Sequence, residues 1–243
     1  AAFVCDTNMW DPKTPAITTR LRGMVKEEIT ITGPKIDLHS GMYGGPAMNP
    51  IRVLSKVIAA LHDKNGKVTI PGFYDGVSEL PKATKKQWQS LNFSDTKFLK
   101  DVGLKHPAGE KGKSVLEQIW ARPTAEVNGI WGGFQGTGTK TVIPREAHAK
   151  LSCRLVPNQE PEKIVGLLTD HIRRHTPTAV RVEVQRLPVT ARPYLVPADH
   201  WGNQVASAVL EELYGVRPLQ IRMGGSVPIC GLFRDLLGVY TIG

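Results

Sequence analysis

The sequence predicts an α+β fold in which a split βαβ unit interrupts an α/β layer. Two observations carry this prediction. The middle of the chain shows strand and helix patterns in the order βαββαβ, which is typical of one antiparallel sheet with two helices on one face. The residues on either side show the strand–helix–strand alternation of an α/β sheet. A length of 243 residues is sufficient for one large domain or two small ones.

The elements of the central unit are predicted from hydrophobic periodicity. Alternating apolar residues indicate strands, and apolar residues spaced by three and four indicate helices. Asn49 suits the N-cap of the first helix and Pro50 its first position. This apolar helix either covers the sheet or lies in a subunit interface, and the pattern leaves both open. We expect strands over residues 19–32, 125–131, 146–156 and 180–184, and helices over residues 50–62 and 161–175.

A polar, lysine-rich insert follows the first helix over residues 78–114. It lacks a long periodic segment, so we expect only short helices around residues 84–90 and 94–102. Ser114 is a candidate cap for a further short helix that extends to Trp120.

The flanking residues predict the α/β layer. Residues 3–6 indicate a short buried strand that ends in Asp6. After Pro197 we expect a helix over residues 200–214, a strand over 219–222, a helix over 229–237 and a strand from residue 239. The sequence therefore predicts three segments: residues 1–18 and 198–243 in the layer, and residues 19–197 in the unit that interrupts it.

Composition narrows the classes of function. The formal charge of +9 raises a nucleic-acid hypothesis, but the lysines and arginines are scattered and no nucleic-acid motif accompanies them. A solvated basic face, or affinity for anionic substrates, explains the charge more simply. Three cysteines among apolar neighbours, with no paired spacing, predict buried reduced thiols in the cytoplasm. No apolar run approaches the roughly 18 residues that span a bilayer.

The stretch from Asp37 to Gly45 is the strongest local motif. It places His39 between an acid and a hydroxyl, at the foot of a glycine-rich loop. Such a loop can bring an imidazole and backbone N–H groups close to a substrate oxygen. A lone histidine in a loop is nevertheless more often a local cap, so the motif needs support from the rest of the chain.

Further motifs supply that support. With the histidine motif they occur in this order: Asp37-Leu38-His39-Ser40-Gly41, Asn128-Gly129-Ile130-Trp131-Gly132-Gly133, Gly138-Thr139-Lys140-Thr141-Val142-Ile143-Pro144, Arg154-Leu155-Val156-Pro157 and Gly224-Gly225-Ser226-Val227-Pro228. Together they resemble the co-catalytic zinc peptidases of the carnosinase-like dipeptidase type, a superfamily that also contains aminoacylases, acetylornithine deacetylase and succinyl-diaminopimelate desuccinylase. The resemblance covers nearly the whole chain.

The resemblance implies a catalytic α/β domain that holds two zinc ions and is interrupted by a lid or dimerisation domain. Residues 1–18 and 198–243 would then be parts of the catalytic domain, and residues 19–197 the lid. The resemblance places most of the zinc ligands outside this chain. Asp6 alone falls on a metal-ligand position, and one carboxylate is too few for a zinc site.

The resemblance also implies roles for individual residues. His39 matches the lid histidine that reaches the neighbouring subunit's active site and stabilises an oxyanion. Thr141 falls near the bound substrate, and Arg154 falls where an arginine grips the substrate's terminal carboxylate. The turn of Gly224, Gly225 and Ser226 matches the cradle for the same carboxylate. Met223 stands where many relatives carry an acidic residue.

We therefore expect a piece of a zinc-dependent hydrolase that cleaves dipeptides or related amides with a free C-terminal carboxylate. The isolated chain is expected to be inactive and to bind no zinc tightly. We expect a homodimer formed through the lid, without nucleic-acid or membrane partners. The alternatives are an N-acyl-amino-acid deacylase of the same superfamily, a purely dimerising or binding module, and a basic nucleic-acid- or anion-binding protein.

Overall fold

The computed structural model describes residues 2–197 and 199–243. The described strands are β1 (Ala2–Phe3), β2 (Ala16–Leu21), β3 (Gly23–Thr32), β4 (Leu38–His39), β5 (Thr124–Gly132), β6 (Val142–Ile143), β7 (Glu146–Leu155), β8 (Arg181–Arg186), β9 (Tyr194–Leu195), β10 (Leu219–Met223) and β11 (Thr241–Ile242). The described helices are α1 (Ser40–Tyr43), α2 (Pro50–Ala59), α3 (Lys82–Gln89), α4 (Asp95–Asp101), α5 (Val115–Trp120), α6 (Pro161–Arg174), α7 (Trp201–Tyr214) and α8 (Pro228–Leu237).

The predicted βαββαβ unit is confirmed. Its four strands form one antiparallel sheet in the order β5-β7-β3-β8, so β5 and β8 are the edges. Helices α2 and α6 pack against β3 and β7. The alternation along β7 buries one whole face of that strand. The core beneath the helices contains Val25, Ile29, Ile31, Val53, Leu54, Val57, Ala147, Ala149, Leu151, Cys153, Leu155, Ile164, Leu168 and Ile172.

Helix α2 lies on this sheet, which answers the question that its apolar pattern left open. It buries Val53, Leu54 and Val57. The side chain of Asn49 accepts a hydrogen bond of 2.9 Å from the backbone N–H of Ile51, as the N-cap prediction requires.

The insert forms the three short helices α3 to α5, close to their predicted positions. Ser114 and Glu117 make a reciprocal capping box at the start of α5. The insert has its own small core around Trp88 and Trp120, which packs against Trp10 and against Ile221 of β10. The insert therefore rests on the α/β layer as well as on the sheet.

The flanking segments build the second layer. Strand β2 lies between β10, which is parallel to it, and β9, which is antiparallel. Strands β1 and β11 pair in parallel, and the backbone N–H of Thr18 donates to the carbonyl of Gly243 at 2.8 Å. Helices α7 and α8 pack against this layer around Ile17 and Cys230.

Three details of the sequence prediction are wrong. Residues 19–32 are two strands in different sheets, because the chain leaves the layer between Leu21 and Gly23. The first strand ends at Phe3, so Asp6 lies three residues beyond it and is exposed. Cys5 is exposed, whereas Cys153 and Cys230 are buried as expected.

Within the described part of the chain, no helix has both the length and the apolar character needed to cross a membrane.

Candidate functional site

His39 and Thr141 are brought together by two paired loops. Strand β4 pairs with β6, so that His39 lies opposite Val142, and the backbone N–H of Ser40 donates to the carbonyl of Thr141 at 3.0 Å. The carboxylate of Asp37 accepts a hydrogen bond of 2.9 Å from the backbone N–H of Arg145. The histidine motif and the Thr141 motif, 102 residues apart, therefore form one site.

The hydrogen bonds of His39 define the tautomer of the neutral ring. Its Nδ1 accepts a hydrogen bond of 3.1 Å from the backbone N–H of Gly41, so the ring proton is on Nε2. Nε2 lies 3.0 Å from the hydroxyl oxygen of Thr141 and donates to it. The local capping role that a lone histidine suggests is present, and on the other side of the ring the Nε2–H is bonded to Thr141.

Arg154 and the glycine turn form a second site. The Nη1 atom of Arg154 donates to the hydroxyl oxygen of Ser226 at 2.8 Å. The Ser226 hydroxyl donates to the carbonyl of Arg22 at 2.5 Å. Strand β7 of the sheet and the turn after β10 of the layer thus meet at a guanidinium and a hydroxyl, which are the groups that bind a carboxylate.

Arg22 is a site residue that the sequence prediction missed. Its Nε donates to the carbonyl of Gly224 at 2.8 Å and its Nη1 to the carbonyl of Arg122 at 3.3 Å. Its backbone N–H donates to the carbonyl of Gly225 at 3.0 Å. Burial, together with the nearby charge of Arg154, lowers the pKa of Arg22 to about 10. Arg22 thus holds the glycine turn and adds positive charge beside Arg154.

Gly224 fits this arrangement because it has no side chain. A Cβ atom at that position would lie 2.5 Å from the Cγ2 atom of Ile119 and 3.1 Å from a guanidinium nitrogen of Arg22. A Cβ at Gly225 would meet nothing closer than 3.6 Å, from the Met223 side chain. The close approach of α5 to the turn therefore requires glycine at position 224 only.

A cavity of about 690 Å³ adjoins the Arg154 site. Its walls come from the outer face of the sheet, the insert and the loop after α2. They carry charges of both signs, including Arg22, Arg154, Asp63, Glu110 and Glu126. The cavity is large enough for a small polar ligand beside the guanidinium of Arg154.

The two sites lie at opposite ends of β7. The His39 site adjoins Glu146, the first residue of β7, and Arg154 is next to its last residue. Eight residue steps at about 3.4 Å each separate Glu146 from Arg154 by roughly 27 Å. Within one copy of the chain, His39 and Arg154 are therefore too far apart to contact the same small substrate.

The described residues do not fit a zinc site by themselves. In residues 2–197 and 199–243, no group of three or more histidine, cysteine, aspartate or glutamate side chains is placed to hold a metal ion. Asp6, the predicted ligand, is exposed in the loop after β1.

Comparison with known proteins identifies the family to which this chain is similar. The model of the peptidase dimerisation domain matches residues 19–180. A Cys-Gly metallodipeptidase of Schizosaccharomyces pombe is 31% identical over 96% of this chain and 50% of its own length. The chain spans about half the length of the curated relatives it matches.

Solved structures agree with the sequence relatives. The di-peptidase Dug1p of Saccharomyces cerevisiae superposes with a TM-score of 0.84 and 29% identity, over 97% of this chain and 50% of that one. Human carnosine dipeptidase 1 superposes with a TM-score of 0.81 and 25% identity, over 97% of this chain and 50% of that one.

Proposed function

The chain belongs to the peptidase dimerisation domain family, and we propose that it forms the dimerising part of a metal-dependent dipeptidase. The substrates would be dipeptides, or related amides, with a free C-terminal carboxylate. The observation that carries this proposal is the placement of a hydrogen-bond donor, His39, and a carboxylate-binding group, Arg154, at opposite ends of one sheet.

A dimer of the chain can bring His39 and Arg154 to the same substrate. In a symmetric dimer, the His39 end of one sheet can approach the Arg154 end of the other, and the same contact is repeated by the twofold axis. Each active site would then use Arg154 and Ser226 from one subunit and His39 and Thr141 from its partner. Because roughly 27 Å separate Glu146 from Arg154 within a subunit, a complete active site would form only in the dimer.

Strand β5 supports the proposal of a dimer. Its residues Val127 and Ile130 pair with the fully buried Leu151 and Ala149 and share their helix-facing side, yet they are 39% and 55% exposed. An edge strand with uncovered apolar side chains and free backbone groups is suited to pairing with a second copy. The opposite edge, β8, carries exposed arginines and a glutamate, which disfavour such pairing.

The chain's own residues would bind and orient the substrate. The Arg154 guanidinium would hold the terminal carboxylate beside the turn of Gly224, Gly225 and Ser226. The Ser226 hydroxyl, which accepts from Arg154 and donates to the Arg22 carbonyl, would orient that guanidinium. His39 would exchange the hydrogen bond from its Nε2–H to Thr141 for one to the oxygen of the scissile carbonyl as negative charge develops there. We propose that the metal is zinc, two ions per site, with Asp6 as one ligand and the other ligands supplied from outside the described residues.

Apolar surface on the α/β layer supports a larger catalytic domain. Helix α7 exposes Trp201, Val205, Val209 and Leu213, spaced by four residues, so they share one face. Helix α8 exposes Ile229, Leu232 and Leu236 in the same way. Continuous apolar faces of this kind mark contact surfaces. We propose that further layers of the catalytic domain cover them.

Removal of the Arg154 charge tests this function in the full-length dipeptidase. The native enzyme should cleave a dipeptide much faster than the same dipeptide with an amidated C-terminus. Arg154→Gln should lower kcat/KM for the free acid by about 10- to 100-fold, because a hydrogen bond to a charged group is lost. It should leave the slow cleavage of the amide nearly unchanged.

Arg173→Gln provides the control, since Arg173 is an exposed arginine near the end of α6 that takes part in neither site. Equal cleavage of the acid and the amide by the native enzyme would contradict the proposal. A substrate panel that includes N-acyl-amino acids separates the dipeptidase from the deacylase alternative.

A further inference from the structure

Two arginines that the proposed function does not use lie side by side in the α/β layer. Arg20 of β2 and Arg222 of β10 are direct partners in the register of the two parallel strands. Neighbouring strands are about 4.8 Å apart, so the two side chains emerge next to each other on one face. Like charges at this separation repel each other and disfavour the folded chain.

Neither guanidinium has a partner among the described residues. No ion pair or side-chain hydrogen bond involves either arginine there, and Arg20 Nε and Arg222 Nη1 are buried donors without an acceptor. Burial lowers the pKa of Arg20. Burial and the neighbouring charge of Arg20 together lower the pKa of Arg222 to about 10. A buried arginine is usually paired with a carboxylate, as Arg122 is in its bidentate ion pair with Glu110.

The insert closes the site from one side. The guanidinium carbon of Arg222 lies 4.7 Å from the ring centroid of Trp88 in α3. This cation–π contact stabilises the charge, but the ring accepts no hydrogen bond from the N–H groups in the guanidinium plane. The two arginines therefore sit at the junction of the insert and the layer, with their charge uncompensated and donors still available.

We propose that Arg20 and Arg222 bind an oxyanion with two negative charges, of the phosphate class. Such an anion balances both positive charges, and its oxygens can accept hydrogen bonds from the two planar guanidinium groups at once. It would bridge β2, β10 and the insert. Buried donors without acceptors are rare in folded proteins because they lose their hydrogen bonds to water.

This pair uses arginines other than those of the carboxylate-binding site. The side chain of Arg22 donates to backbone carbonyls, and Arg154 donates to Ser226. The inference does not depend on the proposed dipeptidase function, and it concerns residues that function does not use.

Calorimetric titration of the 243-residue chain with inorganic phosphate tests the proposal. The chain carries Arg154→Gln, so that the carboxylate-binding site does not contribute, and the sodium chloride concentration is held constant at pH 8. One phosphate should bind per chain. Arg20→Gln and Arg222→Gln should each weaken phosphate binding by at least about tenfold, because each removes one of the two guanidinium groups. The control Arg217→Gln removes an exposed arginine just before β10 and should change nothing.

Thermal unfolding gives a second measurement. Without phosphate, Arg20→Gln should melt at or above the temperature of the unsubstituted chain, because the repulsion is removed. Phosphate should then no longer raise its melting temperature. Parallel titration with phenyl phosphate separates the two sources of such an anion: tighter binding of the ester indicates a phosphorylated ligand, and tighter binding of phosphate the free ion. Absence of phosphate binding would overturn the proposal. Equal binding by the Arg20→Gln and Arg217→Gln chains would also overturn it, because it would indicate an adventitious ion only.

Discussion

At the scale of single residues, His39 shows how a capping role and a functional role combine. The bond from the Gly41 backbone N–H fixes the proton on Nε2, and Thr141 orients that side of the ring. The sequence motif identified the residue and its loop. It did not identify the tautomer, which depends on hydrogen bonds formed by the folded loop.

Gly224 supplies a test at the same scale. Gly224→Ala should destabilise the chain by about 1–3 kcal/mol, because the new methyl group would overlap the Ile119 side chain. Gly225→Ala is the matched control and should change stability by less than about 0.5 kcal/mol. Urea unfolding of the two variants measures both values. Equal stabilities would show that α5 does not press on the turn.

Glu27 provides a prediction about pH. Its side chain is 1% exposed beneath α6, and Oε1 lies 3.4 Å from the Thr169 hydroxyl. Burial raises the pKa of Glu27 from 4.5 to about 7. Between these two values the folded chain keeps a proton that the unfolded chain has lost. The contribution of Glu27 to stability is therefore greatest below about pH 4.5 and falls as the pH rises to about 7.

Glu27→Gln should remove this dependence. Between pH 4.5 and pH 8, the free energy of unfolding of the native chain should fall by on the order of 3 kcal/mol relative to that of the variant, since each pKa unit corresponds to about 1.36 kcal/mol. Urea unfolding of both proteins at several pH values measures the difference. Glu28→Gln, on the opposite face of β3, is the control and should follow the native profile. A variant curve parallel to the native one would exclude a titrating Glu27.

The sequence contained a signal for Glu27 but none for Arg22. Glu27 alternates in phase with Val25, Ile29 and Ile31, so the strand pattern already placed it on the core side. Arg22 lies between two strands, and its partners are backbone carbonyls of distant segments. A polar residue that binds distant backbone leaves no periodic pattern in the sequence.

At the scale of elements, the strand predicted over residues 19–32 shows the limit of periodicity. Apolar residues continue across Arg22, but β2 pairs with β10 and β9, whereas β3 pairs with β7 and β8. A Cβ at Gly23 would lie 2.6 Å from the Ala191 carbonyl oxygen, so the chain passes closely between the sheets there. Periodicity shows which face of a strand is buried, not which sheet the strand joins.

Strand β5 carries the prediction about assembly. Ile130→Lys should convert the dimer to a monomer while each chain stays folded, because Ile130 is already exposed in one copy. The twofold axis places the added charge in the interface twice, so the dimer dissociation constant should rise by at least about 100-fold. Sedimentation velocity measures the change.

Gln185→Lys adds the same charge to the opposite edge, at an exposed position of β8, and should leave the dimer intact. Dissociation by Gln185→Lys rather than by Ile130→Lys would move the interface to β8. A monomeric native chain at high concentration would exclude dimerisation through this sheet.

At the scale of the whole molecule, the order of the elements was predictable and the separation of the two sites was not. The βαββαβ order follows from local patterns, each a few residues long. The separation of the two sites, roughly 27 Å from Glu146 to Arg154, depends on the length and register of β7 within the sheet. The division into residues 1–18, 19–197 and 198–243 stays a prediction, as do the roles of the site residues.

The central claim is that each active site takes His39 from one subunit and Arg154 from the other. Mixing two inactive variants of the full-length dipeptidase, His39→Ala and Arg154→Gln, tests it most directly. Each variant alone should be folded, dimeric and nearly inactive. After subunit exchange, half of the dimers should contain both variants, and each mixed dimer should hold one site with both native residues. Dipeptide hydrolysis should therefore recover to about a quarter of the native rate. No recovery above the mean of the two separate variants, with exchange verified, would contradict the account.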